Sequence, residues 1–166
     1  MKALLVSLAL GVFLANPNPE FPDFTGSWKL DLKESTNLPG SFKQVESYTM
    51  DIRQTRDSVI VVIGLKGSGQ DVKFPVTNYL LDSSEVFRED TLRHSKRWTR
   101  SAWASTGKQM IVTSKVQQGL GEKKMENDER DEWQIKDKNT FQISVSQKFV
   151  RGDSTRIEQR IFHRQK

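Results

Sequence analysis

The stretch FTGSW at residues 24–28, running on into KLDLKES at 29–35, decides how the rest of the chain is read. Gly26 permits close backbone approach where an entering segment turns into a first strand. Trp28, two residues on, has the bulk to plug one end of a barrel or sandwich, and its indole N–H requires a partner there. The pair therefore marks a strand that begins at a crowded end of a β-structure.

Downstream of it the dominant hydrophobic period is two, the signature of half-buried strands. Tyr48, Met50 and Ile52 alternate with Thr49, Asp51 and Arg53; Phe141, Ile143 and Val145 alternate with Gln142, Ser144 and Ser146. Turn signals such as Gly67-Ser68-Gly69, Asp82-Ser83-Ser84 and Asp137-Lys138-Asn139 separate the runs. Strands are predicted near 26–32, 45–54, 58–65, 71–80, 96–104, 108–117, 130–136, 140–150 and 154–164. Such a succession of hairpins favours a meander over crossover units. The predicted fold is all-β, an antiparallel up-and-down barrel of 8–10 strands, with a β-sandwich as the alternative. Only residues 83–98 offer a short helix, and Val86, Phe87 and Leu92 make a poor apolar stripe. The run VIVVIGL at 59–65 is apolar on both faces, which implies an outer cover from the N-terminal segment or a partner.

The N-terminus has the layout of a secretory leader: Lys2, an apolar run from Ala3 to Ala15, then a break at Asn16-Pro17. The apolar run is too short to cross a bilayer core of roughly 30 Å as a helix. The expected organisation is a signal peptide at 1–15, an extended segment at 16–24 rich in proline, and one domain at 25–166. There is no cysteine, so the domain has neither a disulfide nor a lipid-modified cysteine, and packing must hold it together. The expectation is an exported protein, periplasmic or secreted, soluble and without a stable membrane anchor. Its 26 Lys and Arg and 21 Asp and Glu give a net charge of +5. They are interleaved, as in EKKMENDERDE at 122–132, rather than gathered with stacking aromatics as in a nucleic-acid binder. No nucleic-acid partner is expected.

Gly26-x-Trp28 after a short coil resembles the Gly-x-Trp element of lipocalins and related calycin barrels. FTGSWKLDLKES is also similar to the opening of exported bacterial lipocalin-like domains. SAWASTGKQMIV at 101–112 and DEWQIKDKNTFQIS at 131–144 are similar in pattern to that group as well. The resemblance implies a tryptophan sealed by a basic residue of the final strand. Arg156, Arg160 and Arg164 share one parity there, and Arg160 is the expected partner of Trp28. Neither a disulfide pair nor a Thr-Asp-Tyr-type second lipocalin signature is present, which sets the chain apart from the vertebrate-type pattern.

No catalytic or metal-ligating motif emerges. His94 and His163 belong to no recognisable triad or metal spacing, and there is no Gly-x-Ser-x-Gly elbow. GLKGSGQD at 64–71 lacks the ending of a phosphate loop and reads as a hairpin turn; Asp128-Glu129 reads as a solvated turn. Arg151-Gly152-Asp153 resembles the integrin-binding tripeptide but reads as a tight turn between two strands. The functional candidates are instead the residues whose parity faces a common interior. Tyr48, Phe74, Met110 and Trp133 are expected to supply its walls, and Asn78, Arg100 and Gln159 a few polar groups. Mostly apolar walls with a few placed polar groups describe a small-molecule pocket. The expectation is a non-enzymatic carrier, without cofactor, for a small apolar or amphipathic ligand. An envelope or secreted interaction module with a filled interior is the alternative.

Overall fold

The computed structural model describes residues 21–91, 94–119, 124–150 and 154–166. The expected leader, the first residues of the extended segment and the Arg151-Gly152-Asp153 tripeptide lie outside them. The elements are β1 (Gly26–Thr36), a 3-10 helix (Gly40–Gln44), β2 (Val45–Gln54), β3 (Ser58–Gly67), β4 (Gln70–Lys73), β5 (Thr77–Leu80), β6 (Val86–Asp90), β7 (Ser95–Trp103), β8 (Met110–Gln118), β9 (Met125–Asp137), β10 (Thr140–Phe149) and β11 (Thr155–Arg164).

The fold is all-β and antiparallel, in one ladder ordered β4-β3-β2-β1-β11-β10-β9-β8-β7-β6, with β5 also on β3. Neighbours in sequence pair, except that β4 and β5 both lie on β3, β5 does not pair with β6, and β1 joins β11, which brings the first and last strands together. Among the described residues the strand count is eleven, not 8–10, for two reasons. The run at 71–80 is broken by Phe74-Pro75-Val76, since proline has no N–H for the ladder. And the segment considered for a helix forms strands instead: Val86–Asp90 pairs with Ser95–Thr99.

The sheet curls until its ends meet, but it does not close along its length. Near one end Asp82 bridges Ala102, and the Ser83 N–H donates to the Ser101 carbonyl at 3.1 Å. Ser101 Oγ donates to the Leu80 carbonyl at 2.7 Å. Further along, β6 faces β5 across a cleft that Arg88 crosses, its Nη1 donating to Thr77 Oγ1 at 2.8 Å.

A single apolar core fills the end near Trp28. It joins Phe24, Trp28, Leu30, Met50, Ile52, Val59, Val61, Met110, Trp133, Phe141 and Phe162. The segment before β1 belongs to it: Phe24 is fully buried, lies 5.9 Å from Trp133 edge-on, and with Phe21 stacks against Trp103. Gln54 fixes this segment, accepting from the Phe24 N–H at 3.0 Å and donating to the Pro22 carbonyl at 2.9 Å. Residues 21–24 thus form the floor of the rolled sheet rather than a cover for its outside.

Candidate functional site

The floor explains the opening motif. Trp28 Nε1 donates to the Phe24 carbonyl at 2.9 Å, which satisfies the indole in a fully buried position. Arg164 lies directly opposite Trp28 in the β1–β11 register, its guanidinium carbon 4.3 Å from the ring centre. Its Nη1 donates to the Thr25 carbonyl and its Nε to the Lys138 carbonyl. Gly26 has φ +141°, and a Cβ there would stand 2.3 Å from Arg164 Nη1. Glycine makes room for the arginine that seals the tryptophan. The basic partner is therefore Arg164, not Arg160, because the register sets Arg160 opposite Ile143, four residues further along the strand.

Above the floor is a cavity of about 1090 Å³ that opens through the cleft between β5 and β6. Its inner wall is read most simply in rows across β9, β10 and β11. From the open end these are Glu129–Gln147–Arg156, Asp131–Val145–Glu158, Trp133–Ile143–Arg160 and Ile135–Phe141–Phe162. On the other side of β9, β8 sets Ser114, Val112 and Met110 beside Glu129, Asp131 and Trp133. Polarity is thus graded, from charged at the mouth to aromatic at the base.

The polar rows are knitted together. Arg97 Nη1 donates to Glu129 Oε2 at 2.7 Å, and Gln147 and Asn127 donate to Glu129 Oε1 at 2.8 and 3.1 Å. Glu158 is 1% exposed and is held by Arg156 at 3.0 Å and by Arg160. Asp131 differs: its Oδ1 is buried and has no hydrogen-bond partner. Burial pushes its carboxyl from the ordinary 3.8 up to about 6, with the charges of Arg160 and Arg97 pulling down and those of Glu129 and Glu158 pushing up. Trp133 Nε1 and Arg160 Nε, one row nearer the floor, are also buried without partners. Burial raises the phenols of Tyr48 and Tyr79, which line the same space.

Of the residues expected to line the interior, Tyr48, Phe74 and Trp133 do, and Asn78 is exposed at the rim. Met110 is fully buried in the floor instead. Arg100 lies on the outer face, paired with Glu85 at 3.2 Å, because β7 points Arg97, Thr99 and Ser101 inward. Gln159 is exposed, and Ile157 is 59% exposed, because β11 turns Arg156, Glu158, Arg160 and Phe162 inward. Val72 and Val76 are exposed too, on and after the short edge strand β4. Glu129, read as part of a solvated turn, and Asp131 are lumen residues. The signal for them was present: the parity fixed by Trp133 and Ile135 extends back along β9 to both.

Outside the lumen, Asp31, Glu34 and His163 meet where β1 bulges from its register with β11. His163 Nε2 lies 3.0 Å from Glu34 Oε2 and 3.9 Å from Asp31 Oδ2. Asp31 Oδ1 accepts from the N–H groups of Lys33 and Glu34, and these bonds lower its carboxyl below the usual range. All three are solvent-accessible, and the cluster serves to pin the bulge.

No protein-family model matches the chain, and no curated protein matches it in sequence.

Proposed function

We propose that this chain is an exported, lipocalin-like binding protein that sequesters a small amphipathic molecule in its lumen. The observation that supports it is the graded wall: a cavity of about 1090 Å³ runs from Trp133, Ile143 and Tyr79 to a rim of Arg, Glu and Asp. Apolar burial at the base supplies affinity at roughly 25 cal/mol per Å² before the costs of binding. The polar rows orient the head group, so retention rather than catalysis is the mechanism. The grading narrows the expected cargo from apolar or amphipathic to amphipathic, because a wholly apolar molecule would leave Asp131 Oδ1 buried and unsatisfied.

Native mass spectrometry of protein purified from its own host tests this. The expected result is a co-purifying small molecule that leaves on mild denaturation, together with displaceable binding of a neutral dye such as N-phenyl-1-naphthylamine. Absence of both overturns the proposal. A second reading, an interaction module, draws on the outer face of β6 and β7. Phe87 is half exposed there, with its ring 5.2 Å from that of Trp98.

A further inference from the structure

Charge pairing inside the lumen is incomplete, and the shortfall is specific. Three arginines (Arg88, Arg97 and Arg160) and four carboxylates (Glu89, Asp90, Glu129 and Asp131) line the cavity of a chain whose net charge is +5. Arg97 is engaged by Glu129, and Arg160 by Glu158 behind the wall. Glu89 is paired with Lys96 at 3.4 Å. Asp131 is left with an acceptor oxygen that is buried and unmatched, directly above the aromatic floor.

We propose, resting on the carrier reading above, that the cargo is an amphiphile carrying a protonated amine, and that Asp131 anchors that amine while the tail points to the floor. An anionic head meets arginines that already hold carboxylates: Arg97 holds Glu129 and Arg160 holds Glu158, so it would share each cation with a resident anion. Arg88, held by Thr77, sits at the cleft and not at the tail's depth. The unpartnered donors Trp133 Nε1 and Arg160 Nε accommodate an oxygen beside the amine. They cannot themselves receive its protons.

The groups facing Asp131 define how the anchor responds to pH. Arg160 and Glu158 act from β11, Arg97 from β7, Glu129 from β9, and Tyr79 and Tyr48 from β5 and β2. The two arginines and two glutamates oppose one another, so desolvation dominates, and the carboxyl titrates near 6. Above that value the anchor is charged; below it the ion pair with an amine is lost.

The test is competition against N-phenyl-1-naphthylamine by dodecylamine, dodecanol and dodecanoate, each below its aggregation concentration. At about pH 7.5 dodecylamine is expected to bind about tenfold more tightly than dodecanoate, a difference of about 1.4 kcal/mol. That preference is expected to shrink to about threefold or less at about pH 5, and likewise in Asp131→Asn. Equal competition by all three, with the dye bound, overturns the amine proposal and leaves the carrier reading standing. Dodecanoate binding most tightly overturns it as well. A failure of dye and competitors alike to bind overturns both. The comparison of head groups uses the native chain, so it does not depend on the variant folding.

Discussion

A single methyl group at position 26 would set Arg164 against Trp28. The added Cβ meets Nη1 at 2.3 Å, and φ of +141° is a backbone conformation that only glycine adopts without strain. Gly26→Ala is expected to lower stability by about 1–3 kcal/mol and to shift the tryptophan emission. Gly40→Ala, with nothing within 4 Å, serves as the control and should melt as the native chain does. Asp131 makes the opposite prediction. Its folded-state carboxyl is raised, so its contribution to stability is complete below about 3.8 and is lost as pH rises through about 6. Asp131→Asn is therefore expected to stabilise the empty protein at neutral pH by on the order of 1 kcal/mol, with no gain below about pH 4. Thermal melts across pH would show the two curves converging in acid. A group that costs stability in the empty lumen and would gain a partner from the proposed amine fits the usual conflict between stability and function.

At the scale of the strand, what could be read from the chain depended on whether apolar residues alone mark the inner face. They do in β2 and β10, whose inward residues Met50, Ile52, Phe141, Ile143 and Val145 are buried as alternation predicts. They do not in β11, where Glu158 is buried between two arginines while Ile157 is exposed. A rule based on hydrophobicity assigns the wrong parity when charges satisfy one another inside. β9 shows no such inversion, since Trp133 and Ile135 set the true parity and Glu129 and Asp131 fall on it, whereas in β11 and β7 Gln159 and Arg100 were placed inside when they lie out. The Gly26–Trp28 motif was legible because sterics fix it, whereas the choice of arginine depended on register, which no local pattern states. Glu158→Ala, which strands two arginines, is expected to cost about 3 kcal/mol. Ile157→Thr, one residue away on the outer face, is expected to change stability by less than about 0.5 kcal/mol. Chemical denaturation of both variants checks the parity directly.

Taken whole, the molecule is a rolled sheet with an aromatic floor, a polar upper wall and one side cleft. The ladder that stops short of closing leaves three strands, β4, β5 and β6, each with one unpaired edge. Open edges are templates for aggregation, in which a second chain continues the hydrogen-bond ladder. All three are kept short, at four, four and five residues, and two carry charge: Asp71 and Lys73 on β4, Arg88, Glu89 and Asp90 on β6. The opening through which the proposed cargo would pass is thus also the surface most exposed to runaway association, and its charges guard against it. Replacing Glu89 and Asp90 together by threonine is expected to yield dimers and larger species by light scattering at concentrations where the native chain stays monodisperse. In this molecule the cleft proposed as an entrance and the aggregation hazard are one structure, so the residues of that rim would answer to both.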